Sequence, residues 1–205
     1  MGYSTGMTRL PALWLGLCLL LLSPLSAEGQ EDSKSEDRKE PRILGLSPRI
    51  EGQQVLGSFR LVDAFDENLL KRIESGIPSG FTFSFQMVRD RKSWFDKGLL
   101  SSQLRVDAMF NAVTRTYLIN FKHDGQLIES RVVRDLDELR QAMCEYESFP
   151  LFEVSREQMG QRLRLRARAL LGTHHIFFFI PRDTTTGWAE SRLFQIALPG
   201  ESSER

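Results

Sequence analysis

The sequence predicts a mainly β protein, an antiparallel β-sandwich or strongly curved sheet with about two short helices. Three observations carry this. Phe81, Phe83, Phe85 and Met87 alternate with Thr82, Ser84 and Gln86, the period of a half-buried strand. Leu163, Leu165, Ala167 and Ala169 alternate in the same way with Arg162, Arg164, Arg166 and Arg168. Asp124-Gly125 provides the positive-φ pair that a tight hairpin requires. Short strands joined by hairpins, without a regular strand–helix alternation, exclude a βαβ architecture.

Along the chain, Met1 to Ala27 reads as a secretory signal. Arg9 precedes the apolar run Leu10 to Leu22, and Ser23-Pro24-Leu25-Ser26-Ala27 forms a small-residue exit. As a helix that run would reach roughly 20 Å, short of the roughly 30 Å hydrocarbon core. Cleavage is expected after Ala27, with Ala27-Glu28-Gly29 as a competing frame. Export, to the periplasm or outside the cell, follows as the expected localisation. Any membrane contact would come from an uncleaved signal alone. Cys18 would leave with the signal, so Cys144 would be the single cysteine of the mature chain and no internal disulfide could form.

Residues 28–50 are rich in Glu, Asp, Ser, Lys and Arg and carry Pro41 and Pro48. They are expected to form a disordered polar linker. A single mainly β domain is expected over 51–199, with a first strand near Val55, Phe59 and Leu61. Asp63 is expected to cap a short helix whose buried face carries Phe65, Leu69 and Ile73, with Gly76 as its left-handed exit and Pro78 beyond it. Strands follow at Phe81–Met87, Leu104–Phe110 and Tyr117–Phe121, and the Asp124-Gly125 turn returns through Ile128 and Val132. Asp135 and Glu138 have the form of a reciprocal helix cap ahead of Leu139 and Met143. Phe149–Val154, Leu163–Ala169, His174–Ile180 and Phe194–Leu198 are the remaining expected strands, and 200–205 a disordered tail.

These residues resemble a known family. The segment Glu74-Ser75-Gly76-Ile77-Pro78, the Phe-rich strand and then Arg89-Asp90-Arg91-Lys92-Ser93-Trp94 are its most specific part, joined by Tyr117 ahead of the Asp124-Gly125 hairpin. The resemblance is to bacterial exported proteins classed as domain of unknown function 4390. It implies export and one domain, and it supplies no catalytic residues.

Lys+Arg 27 against Asp+Glu 27 leaves no net charge, so nothing in the whole-protein field favours nucleic acid. Gly76-Ile77-Pro78-Ser79-Gly80 has flanking glycines, as a hydrolase nucleophile elbow does, but Pro78 occupies the centre where serine is required. His174 and His175, as neighbours on a strand, would face opposite ways, and His123 reads as a hairpin-shoulder residue. No catalytic residue, metal site or cofactor is therefore assigned. Cys144 reads as a packing residue.

The candidate binding surface consists of Arg162, Arg164, Arg166 and Arg168 with Trp94 and Trp188, each tryptophan being otherwise a closure of the core. The expected function is an exported, non-catalytic interaction or ligand-binding module for an envelope protein or an anionic ligand. The alternative is an exported hydrolase or metal-dependent enzyme with a site assembled from distant residues. A concave pocket collecting Ser, His and Asp would favour the alternative, and a flat charged sheet face without one would favour the module.

Overall fold

A computed structural model of the protein describes residues 39–90, 97–176 and 180–197, with side chains at 97 and 173–183 excepted. The expected signal, most of the expected linker, Trp94-Phe95, Phe177–Phe179 and the expected tail lie outside the described residues. So do the side chains of His174 and His175.

Two antiparallel sheets form the domain. The smaller has the order β1-β2-β7, built from Arg42–Glu51, Gln54–Val62 and Glu145–Glu153. In the larger the order is β10-β8-β3-β4-β5-β6, with β3 at Ser79–Arg89, β4 at Lys97–Asn111, β5 at Thr116–His123 and β6 at Gln126–Val133. Strand β8 spans Arg162–Ile176 and β10 Ala189–Glu190, while β9 (Ile180–Thr185) and β11 (Phe194–Gln195) also pair with β8. Helix α1 (Glu67–Glu74) joins β2 to β3, and α2 (Leu136–Cys144) joins β6 to β7.

The alternation in the sequence explains the layering. Phe81, Phe83, Phe85 and Met87 of β3 are buried beside Leu104, Val106 and Ala108 of β4 and Leu163, Leu165, Ala167 and Ala169 of β8. All share one face because antiparallel partners lie in register: Phe83 pairs with Leu104 on one side and Ala169 on the other. Val55, Phe59 and Leu61 of β2, with Leu151 and Phe152 of β7, belong to the same core cluster. Phe59 makes the closest aromatic links between the layers, its ring centroid 5.2 Å from Phe83 and 5.1 Å from Phe85, and it stacks at 4.7 Å on Tyr146, its cross-strand neighbour in the smaller sheet. Tyr146 would carry an unpaired hydroxyl into this core, but it donates to the Met143 carbonyl at 3.0 Å.

Turn chemistry meets expectation at two places. Asp124 and Gly125 take φ of 46° and 83° between β5 and β6, and Gly76 takes 78° after α1. Gly80 is required for a different reason. A Cβ there would lie 2.0 Å from the Val106 carbonyl oxygen across the β3–β4 pair, so only glycine lets the strands approach at this point.

Three expectations are corrected. Residues 42–50 are strand β1 rather than linker. Ile43 is buried and β1 pairs with β2 along its length, with Gly45 at φ 67° near a bulge between Leu44 and Ser47. Pro48 fits because β1 is an edge strand of its sheet. The cap of α1 is Asp66, whose Oδ1 accepts from the Leu69 amide at 2.8 Å, rather than Asp63. Asp63 instead takes a left-handed φ of 59° and pairs with Arg42 at 2.9 Å, and Phe65 precedes the helix. Strand β7 begins at Glu145, directly after α2, so it is longer than Phe149–Val154. Asp135 does cap α2, accepting from the amides of Asp137 and Glu138.

Cys144 is buried with Leu139 and Met143. Burial pushes its thiol up to about 12 from an ordinary value of 9.0, and burial likewise raises Tyr146 well above 10.0. Both groups favour the folded state while protonated. Their contribution is therefore complete below the unfolded-state values and is lost as pH rises. Conformational stability is expected to be unaffected by these groups up to about pH 9 and to fall towards pH 12. Denaturant melts across that window check this, and native Cys144 should label slowly with thiol reagents. For Gly80→Ala a loss of about 3 kcal/mol or more is expected in urea unfolding, the upper end of overpacking costs; wild-type stability would contradict the close approach.

Candidate functional site

The far face of the larger sheet carries the arginine row. Since β8 puts its alanines and leucines in the core, strand geometry turns Arg162, Arg164, Arg166 and Arg168 outward at about 7 Å intervals. Across the β3 pairing, Arg168 lies beside Ser84, Arg166 beside Gln86 and Arg164 beside Val88. On the opposite side Glu190 of β10 pairs with Arg166.

That placement explains how four like charges tolerate one another. Arg164 Nη1 lies 2.7 Å from Glu190 Oε2, and Arg166 Nε lies 3.1 Å from Glu190 Oε1. The second contact is ionic, because the Nε–H is not aligned as a hydrogen bond. Arg162 stands 3.7 Å from Asp90. Trp188 completes the group, with the guanidinium carbons of Arg166 and Arg168 at 5.2 and 4.7 Å from its ring centroid. Trp188 is half-buried, and it shields the middle of the row by cation–π contact. Two carboxylates thus face four guanidinium groups, and Arg168 is exposed with no carboxylate partner among the described residues. Elsewhere on the same face Asp107 is buried under two cations, Arg105 at 3.2 Å and Lys122 at 3.7 Å.

Five of the six expected surface residues are therefore brought together, and Trp94 lies outside the described residues. Glu190 is the member that sequence reasoning missed. Its role depends on a pairing of strands more than twenty residues apart, for which local periodicity carries no signal.

A second feature was also missed. Ser102 and His123 stand at core-facing positions, Ser102 two residues before Leu104 on β4 and His123 paired with Leu104 from β5. There they continue the alternations Leu104-Val106-Ala108 and Tyr117-Ile119-Phe121 with polar side chains. The signal was legible as polar residues at apolar parity.

Both line a cleft of about 370 Å³ at the mouth between the sheets, with Leu100, Asp124, Leu151, Phe152 and Glu153. Ser102 is 7% exposed. Neither its Oγ nor the His123 Nε2 has a hydrogen-bond partner among the described residues. Unpaired buried groups of this kind cost about 1–3 kcal/mol each. Asp124 Oδ2 is 3.7 Å from His123 Nε2, too far for a hydrogen bond, and Asp124 Oδ1 accepts from the Gln103 amide at 2.7 Å. Phe149 closes on the imidazole edge-to-face at 5.5 Å.

Among the described residues no group of three His, Cys, Asp or Glu side chains is spaced to hold a metal ion, and no helix is long and apolar enough to cross a membrane.

The part-exposed Arg164–Glu190 contact is expected to couple by about 0.5–1 kcal/mol in a double-mutant cycle of urea unfolding with Arg164→Gln and Glu190→Gln. A coupling near zero would remove Glu190 as the organiser of the row.

Neither the curated proteins nor the solved structures include a match to this chain. A family model described as domain of unknown function (DUF4390) matches residues 40–175. That span opens just before β1 and ends within β8, so it takes in the arginine row, Ser102 and His123 but not Trp188 or Glu190. It covers more than half of the chain, which therefore belongs to the family of domain of unknown function DUF4390.

Proposed function

We propose that the domain is a non-catalytic binding module, exported to the cell envelope, whose arginine–tryptophan face takes an acidic surface of a partner protein. The observation that carries this reading is the excess positive charge of this strip among the described residues, where four guanidinium groups meet two carboxylates around Trp188. Arg164 and Arg166 are committed to Glu190. Arg162 and Arg168 remain at the exposed ends, and their planar forks suit carboxylates. Arg9 and the apolar run ahead of Ala27 support export.

The co-location of Ser102, His123 and Asp124 favours a second reading, a serine hydrolase. Its connectivity argues against it. A triad needs the base within reach of the serine and the carboxylate on the imidazole's other nitrogen. Here Ser102 Oγ has no partner among the described residues, and Asp124 approaches the same Nε2 that the serine would need.

Photo-crosslinking in cells from a site beside Arg168 would identify the partner, and binding of the purified pair would then be measured at low and high salt. Arg162→Gln with Arg168→Gln is expected to weaken binding about tenfold, as the loss of a charge-assisted hydrogen bond implies, and to flatten its salt dependence. Unchanged binding by a variant that melts normally would rule out this face. Fluorophosphonate labelling that disappears in Ser102→Ala would establish the hydrolase instead; no labelling is expected.

A further inference from the structure

The cleft between the sheets is separate from the arginine face and carries the opposite electrostatic character. Its charged lining residues among those described are Asp124 and Glu153, with no lysine or arginine. Two of its lining residues, Ser102 and His123, each hold a buried polar atom, Oγ and Nε2, with no hydrogen-bond partner among the described residues. Leu151 and Phe152 of β7 supply apolar surface beside them. A buried polar group without a partner is retained against its cost where a ligand provides the partner, and apolar walls with a few converging polar atoms are the form of a small-molecule site.

We propose that this cleft binds a small primary amine with a short apolar body. An ammonium group presents three donors and no acceptor. Ser102 Oγ accepts one, His123 Nε2 accepts a second with the imidazole proton on Nδ1, and Asp124 Oδ2, which lacks a hydrogen bond of its own among the described residues, accepts the third. Glu153 at the cleft contributes a second negative charge, and the hydrocarbon portion packs on Leu151 and Phe152. A carboxylate or phosphate would meet two acids and no cation, so anions are disfavoured. The cleft volume of about 370 Å³ lies at the lower end of small-molecule sites and matches short alkyl- or arylalkylamines rather than a lipid.

The test uses the purified full-length chain with hexylamine as probe, and hexanol and hexanoate as length-matched neutral and anionic controls. Saturable binding of hexylamine is expected, with movement of the His123 imidazole resonances assigned through His123→Phe. Hexanoate is expected to bind at least tenfold more weakly, and Ser102→Ala and Glu153→Gln each to weaken hexylamine severalfold. The empty Ser102→Ala protein is expected to melt no lower than wild type, because the hydroxyl it removes has no partner to lose. Equal binding of hexanoate, an unmoved His123 resonance at millimolar hexylamine, or hexylamine affinity unaltered in both variants would overturn the proposal. A marked drop in the melting temperature of empty Ser102→Ala would also overturn it, since the hydroxyl would then be paired within the fold.

Discussion

The packing of Phe59 against Phe83, Phe85 and Tyr146 is the contact on which the architecture depends. A three-stranded sheet and a larger one each have an apolar face that water cannot be left to cover, and this aromatic cluster is where the two faces meet. Aromatic pairs at such spacings contribute about 0.5–1.5 kcal/mol beyond the area they bury. Because β3 lies inside the large sheet, between β8 and β4, the orientation of Phe83 and Phe85 sets the facing of its neighbours. A one-residue slip would exchange core and solvent positions along the strand.

The arginine face, the proposed binding surface, is a consequence of that one-sidedness. Once Leu163, Leu165, Ala167 and Ala169 are committed to the core, the intervening arginines have no direction but outward, and β10 with Trp188 organises them into a strip. The same core thins at the mouth between the sheets, where Ser102 and His123 replace the apolar residues that parity calls for. Both candidate sites therefore arise at positions where strand alternation continues but the chemistry of one side changes.

Much of this was legible in the sequence because strand alternation is local. The facing of β3 and β8, the Asp124-Gly125 turn and the buried positions Leu69 and Ile73 all follow from spacing within a few residues. What was not legible depends on partners distant in the chain. Strand β1 carries Ile43, Leu44, Leu46 and Ile50, but only Ile43 is fully buried, and Gly45 with the bulge between Leu44 and Ser47 interrupts the alternation, so its strand character shows in its pairing with β2. The shift of the α1 cap from Asp63 to Asp66 has a similar cause: two acids offer the same cap chemistry, and the Arg42 contact across the sheet engages Asp63. Glu190 joined the arginine row through pairing alone. Ser102 and His123 were the exception, since their parity was visible and only its meaning was passed over.

A single strand, β8, separates the core from the arginine face residue by residue. Native-state thiol labelling of Arg166→Cys, Ala167→Cys, Arg168→Cys and Ala169→Cys tests it most directly, with buried Cys144 as a constant background. Fast labelling is expected at 166 and 168 and protection at 167 and 169 in proteins that melt cooperatively. Similar rates at all four positions, or protection at 166 and 168 with reactivity at 167 and 169, would contradict it.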